Sequence, residues 1–254
     1  NYCAFHNKEA FYTLDENNTL YKVENSSVLS VTMLNGGSGY STATVVFSDP
    51  PSGTTATGTA VITDGVITEI TITDKGSGYV TAPSVTITGD GANADATCLL
   101  NSIPDQPYVS GLVYLDGYTF IGTLNNRIYN SNLNDPTLWD ALNYISFEQT
   151  ADTLVGIAKH LNYLVAFGEH SMQFYYDAAN AVGSPLAVAP SYMGEVGCAN
   201  GDSIVQSDNT LFWVGKSNAY GRAVYYLDGV SPVRVSTPFI ERFLQASNLN
   251  RVST

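Results

Sequence analysis

The residues with the clearest catalytic chemistry lie in one tripeptide of this 254-residue chain, Glu169-His170-Ser171. Catalysis by a serine nucleophile needs a histidine base within hydrogen-bonding reach and a third group that orients the base. Side chains of adjacent residues diverge from one another, so the tripeptide does not by itself form that arrangement. Because Gly168 precedes it, we interpret the stretch as a hydrated β-turn, and the sequence predicts no catalytic residues.

The histidines and cysteines lack the spacing of a metal site. His160 and His170 are ten positions apart and fall in two different predicted turns, whereas zinc needs three or four converging ligands. Cys3, Cys98 and Cys198 form no Cys-x-x-Cys pair, which favours free, buried thiols in a protein assembled in the cytosol. We expect no bound metal, although calcium in turns rich in Asp and Asn stays an open alternative.

Two ligand-binding motifs are present only in incomplete form. The glycine-rich stretch 35–39 lacks the Gly-Lys-Ser/Thr ending of a phosphate loop, and no helical pattern follows it, so we expect no cofactor. The stretch 132–139 is a single, degraded version of the Ser-x-Asp-x-Gly-x-x-Trp turn of propeller glycosidases and sialidases. We interpret Trp139 and Trp213 as packing residues, with a sugar-stacking platform as the alternative.

The composition is apolar and acidic. Apolar residues make up 44% of the chain and charged residues 13%, and the formal net charge is −13. Phosphate contacts need Lys and Arg, so this charge argues against tight wrapping of a nucleic acid. It allows a channel through which DNA passes, where acidic groups facing the DNA would prevent adhesion. No apolar run reaches the roughly 18 residues of a membrane span, and no signal peptide is visible. Because the first residue is Asn1, we suspect a processed chain or a fragment.

Short strands with a regular spacing must position all of these residues. Between 154 and 176, three apolar runs rich in β-branched and aromatic residues are separated by two turn-like breaks, which is typical of consecutive antiparallel strands. A glycine closes the second strand of each unit at Gly122, Gly168 and Gly215, at intervals of 46 and 47 residues. This period is typical of propeller blades. We therefore predict an all-β fold, an incomplete β-propeller with a small inserted all-β domain.

Local turn signals refine this prediction. Two-residue hairpin turns are expected at Asp64-Gly65, Asp116-Gly117 and Asp208-Asn209. The stretch 134–140 is expected to form a turn that is followed by a large aromatic residue. Thr237, with Pro238 directly after it, predicts the start of the one helix.

The predicted domain boundaries follow changes in composition. A hairpin at 10–23 places two strands of a first blade in residues 1–26. The segment 27–102 is rich in Thr, Ser, Gly and Val and contains its own repeat, with Tyr40 and Tyr79 at equivalent positions 39 residues apart. We expect it to be a pseudo-symmetric β module inserted in a blade loop. Residues 103–244 return to the blade pattern, and 245–254 are expected to be a polar tail.

Several segments in a fixed order resemble one protein family. They include an aromatic strand after 167–171 and a strand with its turn at 232–237, and the hairpin at 10–23 is similar to an early blade of the family. The most specific segments are 167–171, 195–198, 208–215 and 232–237. In this order they closely resemble the packaged-DNA stabilisation proteins, or tail hubs, of short-tailed podovirus-type bacteriophages. The segment 27–102 departs from that family and resembles modules of other phage structural and surface proteins.

The resemblance implies a structural virion protein with no enzymatic activity. Family members form a ring, usually taken as a homo-hexamer, below the portal and its adaptor. The ring retains the packaged genome until ejection and carries the tail fibre, spike or needle. DNA passes through it without sequence-specific binding, and no membrane is involved. The implied location is the phage tail, after assembly in the host cytoplasm.

Two other functions stay open at this point. A carbohydrate-binding host-attachment protein, with 27–102 as the adhesin, predicts aromatic side chains along a groove. A propeller glycosidase predicts two carboxylates about 5–10 Å apart in a pocket. The tail hub predicts instead a symmetric ring with other virion proteins bound at both faces.

Overall fold

The computed structural model of the chain divides into two units that are built almost entirely of β-strands. It describes residues 3–6, 11–14, 20–23, 27–104, 107–148, 152–217 and 221–247. In these ranges the only helices are a short 3₁₀-helix and one α-helix. The blade unit comprises Asn1–Val23, Pro104–Thr137 and Ala141–Thr254, and the ribbon unit comprises Glu24–Ile103 and Leu138–Asp140.

A three-stranded antiparallel sheet begins the blade unit. Its strands are β1 (Cys3–His6), β2 (Phe11–Leu14) and β3 (Leu20–Val23), and β2 pairs with both of the others. The predicted hairpin at 10–23 is confirmed in β2 and β3. Its predicted turn at 15–18 lies outside the described residues.

Three antiparallel ribbons form the ribbon unit. The strands are β4 (Val28–Ser38), β5 (Ala43–Phe47), β6 (Thr57–Thr63), β7 (Val66–Asp74), β8 (Val85–Gly89) and β9 (Ala92–Leu100). β4 pairs with β9, β5 with β8 and β6 with β7. In the β5–β8 ribbon Val45 pairs with Ile87, and Phe47 pairs with Val85. The strand after Tyr40 and the strand after Tyr79 thus pair with each other in antiparallel orientation, as a pseudo-two-fold relation between the two sequence repeats requires.

The repeated Gly-Ser-Gly-Tyr motif has the same backbone conformation in both copies. Gly37 and Gly76 both have φ of 65°, a left-handed conformation that glycine adopts without a steric penalty. The Asn35 side-chain oxygen accepts the Gly37 N–H at 2.9 Å, and an Asp74 carboxylate oxygen accepts the Gly76 N–H at 2.9 Å. Each turn is thus closed by the side chain two residues earlier.

The tyrosine that ends each copy of the motif is a core residue. Tyr40 and Tyr79 are 5% and 4% exposed and pack in the same cluster as Phe47, Ile67 and Ile70. Threonines alternate with these apolar residues along β6 and β7 and face solvent, as the sequence pattern predicted.

The ribbon unit begins and ends at the same place. Val28 and Leu100 are cross-strand partners in the β4–β9 ribbon. One residue further out, the Ser27 carbonyl accepts the Asn101 N–H at 2.8 Å. The entry and exit of this unit are therefore neighbours in a hydrogen-bonded pair.

The remaining strands form an eight-stranded sheet, which we divide into blades A and B, and a five-stranded sheet, blade C. Blade A contains β10 (Tyr108–Leu115), β11 (Tyr118–Thr123), β12 (Arg127–Asn132) and β13 (Asp135–Ser146). Blade B contains β14 (Leu154–His160), β15 (Tyr163–Gly168), β16 (Met172–Asp177) and β17 (Leu186–Gly194). Blade C contains β18 (Gly197–Cys198), β19 (Val205–Ser207), β20 (Thr210–Ser217), β21 (Gly221–Asp228) and β22 (Ser231–Arg234). A 3₁₀-helix, Gly201–Ser203, separates β18 from β19, and α1 (Pro238–Ala246) follows β22.

The first strands of blades A and B lie side by side. Ser110 of β10 and Gly156 of β14 form a parallel bridge, while the other strands of each blade follow by antiparallel pairing. In β1, the His6 ring nitrogen lies 2.7 Å from the Gly111 carbonyl oxygen of β10. Blades A and B are four-stranded units repeated along the chain, as in a β-propeller, and the predicted all-β fold class is confirmed.

Each space between blades holds its own apolar core. Between blades A and B lie residues such as Phe120, Ile128, Leu154 and Tyr175. Between blades B and C lie Phe167, Phe174, Trp213, Tyr225 and others. Blade B contributes to both cores, so both of its faces are buried, and this explains why its strands read as apolar runs.

Two of the period-marking glycines, Gly122 and Gly168, lie in the second strand of their blade, and Gly215 lies in β20, the strand of blade C that pairs with both β18 and β19. A Cβ at Gly122 would lie 2.5 Å from a Val109 methyl carbon, and a Cβ at Gly215 would lie 2.4 Å from the Tyr225 ring. At Gly168 the nearest atom would be an Asp152 carboxylate oxygen, at 2.3 Å. The repeat thus marks places where a neighbouring side chain occupies the space of the missing Cβ.

The turn and helix predictions hold with one correction. Asp64, Asp116 and Asp208 have φ values of 51°, 49° and 46° in the expected hairpin turns, and α1 begins at Pro238. The turn predicted at 134–140 is wrong in extent, since β13 already begins at Asp135. A proline at the start of a strand has no ladder hydrogen bond to lose.

Two other features concern the described residues only. No helix among them is long and apolar enough to cross a membrane. The predicted polar tail, 245–254, overlaps the end of α1, and its residues 248–254 lie outside the described part of the chain.

A matched pair of glycines tests the motif of the ribbon unit. In Gly37→Ala the new Cβ would lie 2.4 Å from the Ala92 carbonyl oxygen, whereas in Gly39→Ala the nearest atom is 3.9 Å away. Both glycines have positive φ, so Gly39→Ala measures the backbone strain alone, about 1 kcal/mol. We expect Gly37→Ala to lower the free energy of unfolding of the ribbon unit by at least about 2 kcal/mol. Hydrogen exchange of the β4–β9 amides measures both effects; equal losses would contradict the assignment.

Candidate functional site

The tripeptide Glu169-His170-Ser171 lies in the turn between β15 and β16, around the carboxylate of Asp152. The side chain of Asp152 is 6% exposed. Its two oxygens accept the Glu169 N–H at 3.0 Å, the His170 N–H at 2.9 Å and the Ser171 hydroxyl at 2.7 Å. The Gly168 N–H closes the same turn on the Ser171 carbonyl at 2.8 Å. The sequence identified the turn but gave no sign of this carboxylate.

This geometry is not that of a catalytic triad. A triad needs the histidine between the serine and the acid. Here Ser171 donates directly to Asp152, and the His170 Nδ1 lies 3.7 Å from the same carboxylate. The serine hydroxyl is therefore directed at the carboxylate and not at the histidine, and the tripeptide is a structural turn.

The residues around Asp152 also connect neighbouring blades. Asn126, in the turn between β11 and β12 of blade A, donates to the Asp152 carbonyl at 2.8 Å and accepts the Leu154 N–H at 2.8 Å. On the other side, Lys216 of blade C lies 3.3 Å from the Glu169 carboxylate. We call this set, Asn126, Asp152 and the turn 168–171, the blade clasp.

The hydrogen bonds of the clasp favour the ionised form of Asp152. Partial burial raises the pKa of the carboxyl, but the N–H groups of His170 and Thr153 and the Ser171 hydroxyl donate to it, and His170 adds a favourable charge. The balance lowers the pKa of Asp152 below its ordinary value. The clasp is therefore built around a negative charge at neutral pH.

The histidines are not brought together. His160 was predicted in a turn or on the surface, and this prediction is wrong. It ends β14, is 3% exposed, and its Nε2 lies 2.6 Å from the Gly229 carbonyl oxygen of blade C. Among the described residues no group of three or more His, Cys, Asp and Glu could hold a metal ion.

Two of the three cysteines are free and buried, as expected: Cys98 and Cys198. Burial raises the pKa of each thiol to about 11, so neither is a reactive thiolate at neutral pH. The side chain of Cys3 lies outside the described residues.

Both tryptophans are packing residues, as interpreted from the sequence. Trp139 and Trp213 are 0% and 1% exposed. Trp213 lies 5.2 Å from Phe167 and 5.9 Å from Tyr225 between ring centroids. Neither ring is accessible to a sugar.

The first strands of the blades border a groove of about 480 Å³. In it the Ser110 hydroxyl donates to the Asp202 carboxylate, which joins blade A to the 3₁₀-helix of blade C. Lys159 is an exposed cation of the groove. Together, the sequences of four strands contain one lysine, two histidines and no carboxylate; these strands are β1, β10, β14 and β19. One carboxylate, Asp202, does line this groove, and the expectation that acidic groups face a DNA conduit stays a prediction.

Comparison with known proteins identifies the family. Residues 15–253 match the model of the phage stabilisation family, described as Bacteriophage P22 Gp10, beta-propeller. The chain belongs to this family of phage tail proteins, which stabilise packaged DNA. No curated protein matches the chain.

The pH dependence of stability tests the clasp. Asp152→Asn removes the charged acceptor of several partly buried donors, so at neutral pH we expect a loss of about 1–3 kcal/mol in the free energy of unfolding. A carboxyl with a lowered native pKa stabilises the fold above its unfolded pKa and loses this effect as the pH falls through the native pKa. The difference between Asp152→Asn and wild type should therefore shrink below about pH 4. Urea unfolding across this pH range measures it.

The exposed Asp228 offers the control for this experiment. Asp228→Asn should have little effect on stability at either pH, since its side chain faces solvent. A stability of Asp152→Asn equal to that of wild type at neutral pH would show that the clasp does not hold the blades.

Proposed function

We propose that this member of the P22 Gp10 family acts as the hub of a short phage tail. In this role copies of the chain form a ring, a homo-hexamer, below the portal and its adaptor. The ring retains the packaged genome until ejection and carries the tail fibre, spike or needle. The observation that carries the proposal is the family match over 15–253. The protein would join the virion during assembly in the host cytoplasm.

The packing of the blades supports a mechanical role. A hub that holds pressurised DNA and several attached proteins must transmit force without unfolding. Blade B is packed on both faces by apolar cores, and the blade clasp fixes the spacing of the strands at one end. Close-packed interiors deform little under load.

The charge distribution supports passage of DNA without tight binding. The net charge of −13 repels phosphate groups, while the first strands of the blades carry no carboxylate and a single lysine. The groove that these strands border contains one lysine, Lys159, and one carboxylate, Asp202. A single cation offers few phosphate contacts, and the affinity for DNA depends on the number of such contacts. Sequence-specific binding is not part of this function.

No enzymatic activity is part of the proposed function. The one serine–histidine arrangement suggested by the sequence is a turn held by Asp152. A host-attachment role for the ribbon unit finds no support either, because its aromatic residues Tyr40, Phe47 and Tyr79 are all buried, and aromatic recognition of sugars needs exposed rings.

We further propose that residues 27–102 are an insertion in a propeller loop, preceded by blade strands in 1–26 and followed by blades in 103–244. An insertion needs ends that meet, and the Ser27–Asn101 hydrogen bond supplies this. Insertions at such sites add little loop entropy.

Replacement of 28–100 by Asn-Gly tests the insertion. The two residues would form a type I′ turn between Ser27 and Asn101. We expect the shortened chain to fold with one cooperative transition and to keep the protected amides of β14 and β15 in hydrogen exchange. A chain with the same residues deleted but joined directly, which strains the turn, is the control. Loss of protection in β14 and β15 in both chains would contradict the insertion.

Particles of the phage that encodes the chain test the hub function. An amber mutation in the gene should allow packaging but leave heads that lose their DNA, measured as DNase-sensitive genome after assembly. Adding the purified chain should restore protection, and imaging should place a six-fold ring beneath the portal. Mutant particles that keep their DNA at wild-type levels would overturn the proposal.

A further inference from the structure

A second cleft lies where the turns of blades A and B meet, away from the first-strand groove. Its volume is about 480 Å³. Asp116 comes from the turn between β10 and β11, and Asn162 from the turn between β14 and β15. The side wall is formed by residues of β15, β16 and β17, among them Tyr163, Tyr176 and Asp177. We infer that this cleft binds a neutral sugar ring.

The lining offers the groups that recognise sugars. Carboxylate and amide groups form paired hydrogen bonds with neighbouring hydroxyls, and an aromatic ring packs on the apolar C–H face. Asp116, Asp177 and Asn162 supply the polar groups, and Tyr176, which is 42% exposed, supplies an accessible ring. This contrasts with the two tryptophans and with the aromatic residues of the ribbon unit, all of which are buried.

The charge of the cleft decides between ligand classes. Among the described residues no lysine, arginine or histidine lines it, whereas two carboxylates do. Anionic ligands such as phosphate, sulfate and uronic acids would meet these carboxylates without a compensating cation. A divalent cation would need further oxygen ligands, and no group of three candidate ligands occurs in the described part of the chain. A neutral polyhydroxylated ring remains.

The polar groups of the cleft are held in place before any ligand binds. Asp116 has φ of 49° and Gly117 has φ of 91°, so their turn is tight. One oxygen of Asp177 accepts the Ala179 N–H at 2.7 Å, which fixes the carboxylate and leaves its other oxygen for a ligand. The Tyr163 ring packs edge-on against Phe174, with 6.1 Å between centroids. Preorganisation of this kind lowers the entropy lost on binding.

Titration of the full chain with single sugars tests the inference. The neutral probes are glucose, galactose, mannose and N-acetylglucosamine, and the anionic probes are glucuronic acid and N-acetylneuraminic acid. Saturation-transfer NMR detects contact, and titration calorimetry gives Kd. We expect at least one neutral probe to bind saturably with a Kd on the order of 1 mM, and the anionic probes to bind more weakly.

Three variants locate the binding. Tyr176→Ala should weaken binding of the neutral probe about tenfold or more, because the stacking ring is lost. Asp177→Asn, which can keep its bond to Ala179, should weaken binding through loss of the charged acceptor. Tyr114→Ala is the matched control, since Tyr114 is 57% exposed and does not line the cleft. Far-ultraviolet circular dichroism checks that each variant is folded.

Three results would overturn the inference. They are absence of binding by every neutral probe at about 20 mM, binding of the anionic probes as tight as that of the neutral ones, and equal weakening by Tyr114→Ala and Tyr176→Ala. None of these measurements depends on where the chain sits in a virion, so the hub function and the sugar site succeed or fail separately.

Discussion

The arrangement of the blades depends on the hydrogen bonds that Asp152 accepts. Asp152 precedes the first strand of blade B, and its side chain accepts hydrogen bonds from the turn at 168–171. The backbone carbonyl of Asp152 accepts a hydrogen bond from Asn126 of blade A. A single ionised residue thereby fixes the distance between two turns that belong to different parts of the sequence. Each neutral hydrogen bond contributes only about 1 kcal/mol, but bonds to a charged group are stronger. The apolar cores can then pack in one register.

Burial on both faces is the second constraint. Phe167 and Trp213 meet across the space between blades B and C, while Leu154 and Tyr175 fill the space on the other side. Gly122 and Gly215 admit neighbouring side chains that a Cβ would exclude. The period of forty-odd residues therefore reflects packing, because it is the length of chain that leads from one blade core to the next.

The ribbon unit is held together by different means. Its strands pair only in twos, and such ribbons are marginal alone. They are joined by a small core around Tyr40 and Tyr79 and by turns that the side chains of Asn35 and Asp74 close. The glycines of these turns take left-handed conformations that the sequence motif already implies. This explains how a segment with few large apolar residues forms a compact unit.

The sequence alone determined the features that depend on local chemistry. Asp64-Gly65 and Asp116-Gly117 form hairpin turns because only a few residue types tolerate positive φ, and Pro238 starts a helix because it lacks an N–H to satisfy. The spacing of Gly122 and Gly168 revealed the blades because packing repeats with the chain. The tertiary structure alone decided what fills the turns and clefts. Residues that are distant in sequence are brought together in this way: Asp152 accepts from Ser171, His160 is buried against Gly229, and Asp116 and Tyr176 line one cleft. No local pattern encodes such meetings, because the path of the intervening chain sets which side chains come within a few ångströms.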